Sequence, residues 1–186
     1  MERRIPEGEV PEEVRLVNEF LNTLDLETYG EHAGKPDEER EGLRSPERLR
    51  AWFVGRGLLG REVAVNEADR QLAVGVRDAL RSDAAGWSFQ ELPLVVRFGE
   101  NSKPELVSGE GGVRGALGRI LADVVVASSK GTWARMKICA AQDCRWTYYD
   151  HSKSRTGRWC AMETCGNRHK TRRYRRKKRS SAWQEG

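Results

Sequence analysis

The chain has 186 residues, 38% hydrophobic and 33% charged, with a formal net charge of +5. That length suits one ordinary domain plus a small module, and the composition is polar without being that of a disordered chain. No run approaches the roughly 18 apolar residues of a membrane span, and "MERRIPEGEV" lacks the apolar stretch of a secretory signal; the sequence therefore predicts a cytoplasmic protein without a membrane partner.

The first predicted element is a helix in "PEEVRLVNEFLNTL", where Val14, Val17, Leu21 and Leu24 recur near helical spacing and Leu16 and Phe20 widen the apolar stripe. "YGEHAGKPDEEREGL" has few apolar residues and reads as an exposed loop. In "SPERLRAWFVGRG", Ser45 is placed to cap a second helix and Pro46 suits its first turn. Leu49, Trp52 and Phe53 form its apolar face, and Gly55 or Gly57 can end it in a left-handed conformation. A third helix follows in "NEADRQLAVGVRDALR", with Asn66 as cap, Asp69 three residues on, and a stripe of Leu72, Val76, Ala79 and Leu80.

"LPLVVRF" is short and rich in β-formers, so it reads as a strand. "GENSK" supplies a turn and "PELV" the returning strand, with Pro104 favouring an edge position. "GVRGALGRILADVVVASS" places Val113, Leu117, Ile120, Leu121 and Val124 at helical spacing, which predicts a fourth, longer helix ending near Ser128. "SSKGTW" then reads as a hinge into a different kind of segment. The expected fold class is α+β: a mainly helical domain with a small β hairpin over residues 1–130, a small four-cysteine module with a basic C-terminal helix over 135–179, and a tail over 180–186.

Charge divides along the same line. Residues 135–179 carry 15 Arg or Lys against 3 Asp or Glu, a net of +12, whereas residues 1–134 carry 18 against 24, a net of −6. Such asymmetry marks a polyanion-binding end or a solvated tail. All four cysteines lie in the basic part, spaced Cys139-x4-Cys144-x15-Cys160-x4-Cys165. Two close pairs separated by a loop assemble a tetrahedral zinc site, and four thiolates leave no open position for water, so one structural Zn²⁺ is expected. The spacings match neither ferredoxin pattern. His151 and His169 are substitute ligands of second rank. Trp146 and Trp159 are expected to pack over the metal, and Asp150 to serve as a turn residue or an arginine partner.

The stretch "CAAQDCRWTYYDHSKSRTGRWCAMETCGNRHKTRRYR" resembles the zinc finger named after its Cys-Gly-Asn-Arg motif, here Cys165, Gly166, Asn167 and Arg168. That CGNR finger typically closes bacterial proteins whose N-terminal part is an ABATE-like domain, described as a stress-induced transcription regulator. "LVNEFLNTLDLE", "LPLVVRF" and "GALGRILA…GTWARMK" resemble that domain more loosely. The resemblance implies that Cys139, Cys144, Cys160 and Cys165 hold zinc and that the protein regulates transcription. "RDALRSDAAGWSFQ" is shorter than the helical middle usual in the family, so part of a sensory pocket is expected to be trimmed.

Asn167 is expected to cap a basic helix, "RHKTRRYRRKKR", with its side-chain oxygen. Arg168, Lys170, Arg172, Arg173, Arg175 and Arg176 are the candidate nucleic-acid contacts, chiefly to phosphates. The leading expectation is a zinc-dependent DNA-binding transcriptional regulator contacting duplex DNA. An RNA-binding module and a protein-interaction module with a structural zinc are the alternatives. A homodimer and a small-molecule ligand of the N-terminal domain complete the expected partners; Trp52 or Phe53 would serve the dimer interface if exposed, but core packing is the leading expectation for both. No Ser/His/acid set appears, and Gly109, Gly111 and Gly112 lack the spacing of a dinucleotide fingerprint, so no enzyme is expected.

Overall fold

In the computed structural model, residues 10–30, 33–82, 91–99 and 102–182 are described. The tip of the "GENSK" turn, most of the "RDALRSDAAGWSFQ" stretch and the end of the tail lie outside them. Among the described residues no helix is long and apolar enough to cross a membrane.

Among the described residues, four helices build the body: α1 (Glu12–Leu21), α3 (Pro46–Gly55), α4 (Glu67–Leu80) and α5 (Gly112–Ser129), with a single turn, α2 (Asp37–Arg40), between the first two. Local chemistry sets their ends. Ser45 Oγ accepts from the Arg48 amide, with Pro46 in the first turn. Asn66 and Asp69 form a reciprocal capping box, and Gly57 ends the α3 region at φ +66°. The inward stripes meet in one core that includes Val17, Phe20, Leu43, Leu49, Phe53, Val76, Leu117 and Ile120. Phe53 is wholly buried, and Trp52 is half-buried beneath the Arg56 guanidinium, 4.0 Å from its ring. Both side chains thus pack into or against the core, as the apolar face of the predicted helix implies, rather than standing free for a partner.

β1 (Leu94–Phe98) and β2 (Pro104–Ser108) form an antiparallel hairpin with Val96 opposite Leu106 and Phe98 opposite Pro104. β2 lies against α5. A second antiparallel hairpin pairs β3 (Met136–Ile138) with β4 (Thr147–Tyr149), and α6 (Asn167–Ala182) closes the described chain.

Two expectations change. The segment at 29–43 is not simply an exposed loop: Leu43 is in the core, and Glu41 accepts two bonds from the buried Arg77 at 2.6 and 2.7 Å. Burial works against the Arg77 charge, but Glu41 outweighs it and holds the guanidinium above its usual range. The "SSKGTW" segment is likewise not a hinge. It leads into a 3-10 turn, Trp133–Arg135, and both Trp133 and Met136 pack against the body core.

Side chains of the body also grip the second hairpin. The Asn22 amide donates to Thr147 O and accepts from Thr147 N, both at 2.8 Å, as a neighbouring strand would. Arg81 donates to Leu21 O, Thr147 Oγ1 and Arg145 O at 2.6, 3.1 and 2.7 Å. Its burial and the neighbouring Arg77 charge lower it to about 10, leaving it charged at neutral pH.

Candidate metal centre and basic helix

Cys139 and Cys144 flank the turn that joins β3 to β4. The Cys139 amide donates to Trp146 O at 2.8 Å, and the amides of Cys144 and Arg145 both donate to Ala141 O at 3.0 Å. Arg145 takes φ +54° to complete this knuckle. The second pair is brought alongside by the Ala140 amide, which donates to Arg158 O at 2.8 Å, just before Cys160. Cys165 lies in a π-turn, Met162–Gly166, that runs directly into α6.

All four sulfurs are buried and lie within 4.8 Å of one another. Cys160 Sγ is 3.6 Å from Cys144 Sγ and 3.7 Å from Cys165 Sγ. Zinc–sulfur bonds of about 2.3 Å at tetrahedral angles place ligand sulfurs about 3.8 Å apart, so the cluster fits one zinc ion. The four cysteines form the cluster without either histidine: His151 meets the Tyr149 ring edge-on and His169 lies tilted against Trp159. Trp146 and Trp159 pack against the sulfurs, as expected, together with Tyr29.

Sequence reasoning missed Tyr29. Its hydroxyl lies 3.3 Å from Cys165 Sγ. Burial raises the phenol above its ordinary range, and the bond to Cys165 adds to the shift, so it stays protonated as a donor. The loop carrying it is fastened to the knuckle by the Thr28 amide, which donates to Asp143 O at 3.0 Å.

The Cys-Gly-Asn-Arg motif acquires a role at each position. Cys165 supplies a sulfur. Gly166 is buried, and a Cβ there would lie 2.5 Å from Met162 Sδ and 3.3 Å from the Trp159 ring, so Met162 would have to swing aside to admit one. Asn167 is not the expected helix cap. It is itself helical (φ −66°, ψ −40°), and its Nδ2 donates back to Glu163 O at 3.2 Å. The chain is already coiled from Met162, so the first amides of α6 need no capping oxygen.

Arg168 is drawn toward the metal site. Its guanidinium turns inward, donates to Asp143 Oδ1 at 3.0 Å and to Cys165 Sγ at 3.7 Å, and lies 2.9 Å from the centre of the Tyr29 ring. Arg172 bonds the other Asp143 oxygen at 2.8 Å but keeps 68% of its side chain exposed. Lys170, Arg173, Arg175 and Arg176 are all exposed, as is Tyr174.

Asp150 is also a hub, though its charged partner is lysine. Lys137 Nζ lies 2.6 Å from its carboxylate, and the amides of Ser152 and Gly157 donate to it at 3.0 and 2.9 Å. Burial alone would raise this carboxyl, but those donors outweigh it and hold it well below the usual carboxylate range.

A buried four-cysteine knuckle that leaves no open coordination position, continues into a basic helix and docks on a helical domain defines a zinc-binding protein with a structural metal site. Residues 135–178 match the family model of the CGNR zinc finger, and residues 14–98 match that described as a "putative stress-induced transcription regulator", ABATE. The chain thus carries a CGNR zinc finger behind an N-terminal ABATE domain. No curated protein matches it.

Proposed function

We propose that this protein is a zinc-dependent, DNA-binding transcriptional regulator whose α6 helix lies along a duplex. The observation that carries this reading is the pairing of a rigid root with a run of exposed cations: Lys170, Arg173, Arg175 and Arg176 project from a helix fixed at Cys165. Their mutual repulsion disfavours the isolated helix, and a phosphate backbone relieves it. Arg168 and Arg172 fall on the face held by Asp143, so the first positions the helix and the second contributes less than its exposed neighbours.

Zinc supplies folding energy here and no reaction. Structural sites of this kind contribute about 10–16 kcal/mol at neutral pH, and both domains are of non-catalytic families.

The test is fluorescence anisotropy with random and selected duplexes across a salt series. Replacing Lys170, Arg173, Arg175 and Arg176 together with Ala weakens binding to every duplex. It also lowers the salt slope by up to about four, roughly one for each lost phosphate contact. Unchanged affinity and slope, or tighter binding to structured RNA at every salt concentration, refutes the reading.

A further inference from the structure

From Asp150 to Arg158 the loop after β4 contains no large apolar residue, yet it is heavily braced. The buried Asp150 carboxylate accepts from both ends of the turn, at the amides of Ser152 and Gly157. Lys137 Nζ, besides its bond to Asp150, donates to Arg155 O at 2.5 Å and Gly157 O at 3.3 Å. Arg135 Nη1 donates to Asp150 O and Ser152 O at 2.9 and 3.0 Å. Gly157 is required by the same design, since a Cβ there would lie 2.6 Å from Asp150 Oδ1.

All of this bracing acts on main chain. The side chains of Ser152 through Thr156, and that of Arg158, are exposed. Three of them are cations, Lys153, Arg155 and Arg158, and among the described residues no carboxylate pairs with any of the three. Arg155 is held at φ +54°, a conformation that a long side chain seldom adopts and that persists only where its surroundings impose it. The loop also joins the basic helix. The Arg158 guanidinium lies 5.3 Å from the centre of the Trp159 ring, and Trp159 packs on His169 of α6 at 4.7 Å.

We infer that the Ser152–Arg158 loop is a second phosphate-binding element, gripping the backbone of the same duplex that α6 contacts. The inference rests on the DNA-binding reading above and adds a site to it. A duplex presents phosphates along two strands, and two separate basic elements on one rigid knuckle fix its orientation, which a lone helix cannot do. Ser154 and Thr156, whose hydroxyls lie 2.7 Å apart, add neutral donors beside the cations. A loop backbone fixed before binding leaves only side-chain freedom to be lost on contact, which is what the Asp150–Lys137–Arg135 brace secures.

The test compares two variants of the full zinc-loaded chain by anisotropy with a random duplex over a salt series. The loop variant carries Lys153→Ala, Arg155→Asn and Arg158→Gln; Asn tolerates the left-handed backbone and Gln keeps an aliphatic stem over Trp159. The helix variant carries the four alanines in α6. The expected result is that the loop variant keeps its zinc, loses about two to three from the salt slope, and binds random and selected duplexes more weakly by the same factor. If the loop variant binds like the unchanged protein while the helix variant loses slope, the loop proposal fails and the DNA-binding reading survives. If neither variant loses slope, both fall. A readout independent of mutation is acylation of the Lys153 amine, read by mass spectrometry: the duplex is expected to protect it, and labelling unchanged at saturating duplex overturns the proposal.

Discussion

The phenol of Tyr29 lies 3.3 Å from the sulfur of Cys165, although 136 positions separate them in the chain. One belongs to the segment matched by ABATE and the other to the finger, so the N-terminal domain reaches the sulfur shell of the metal site. A hydrogen bond to a ligating sulfur orients it and spreads its charge. Tyr29→Phe removes only the hydroxyl, and the ring can still lie under Arg168. The expected outcome is a zinc affinity about 10–100-fold weaker, measured by competition with a chromophoric chelator. Equal affinities would show that the contact is packing alone.

Asp143 holds the root of α6 by binding Arg168 and Arg172 together. Asp143→Asn keeps the shape and removes the charge. Stability to urea falls by about 1–2 kcal/mol, while the salt slope for duplex binding steepens by up to about one, because Arg172 becomes available to a phosphate. An unchanged slope would mean that Arg172 faces away from the bound duplex.

Chelation of the metal has a graded expected outcome. Residues 139–182 lose their fold, because four buried sulfurs are the centre of that module. The helical body persists as a protease-resistant fragment that includes Trp133 and Met136, which pack against its core. Its melting temperature is nonetheless lower than in the intact protein, since Asn22 and Arg81 lose their partners on β4. Digestion of the whole chain at one rate would indicate a single cooperative unit.

Arg77 is buried against Glu41. Arg77→Leu leaves that carboxylate without its main partner and is expected to cost about 3–5 kcal/mol in urea unfolding. Arg77→Leu combined with Glu41→Leu recovers much of the loss. A double variant as weak as the single would place the cost elsewhere in the core.

The body helices, both strands of the first hairpin and the four sulfurs were legible because each follows from a local rule: a period, a cap or a spacing. Ser45, Asn66 and the apolar stripes needed no distant partner to be read. Arg77, Arg81, Asn22 and Tyr29 were not legible, because each owes its place to a group that only the fold brings near. Arg77 in particular sits among the stripe residues of α4 and looks like a solvated charge until Glu41 is placed opposite it. Asn167 misled for a related reason. Its residue type favours a cap, but the turn containing Cys165 had already started the coil. A usable signal did exist in the charges: residues 135–179 contain only three acids, Asp143, Asp150 and Glu163, and two of these organise the module.

Cys165 belongs to the same coiled run as α6, so the metal ligand and the basic arm behave as one lever with its fulcrum at the sulfur. The 16 residues of Asn167–Ala182 extend about 24 Å at 1.5 Å per residue, so a tilt of roughly 10° at the fulcrum would carry the far tip about 4 Å sideways. That displacement exceeds the tolerance of a hydrogen bond several times over. A shift of Tyr29 by a small angle against Cys165 is therefore geared up at the arm's end, and the N-terminal domain gains mechanical advantage over where the cations of α6 lie.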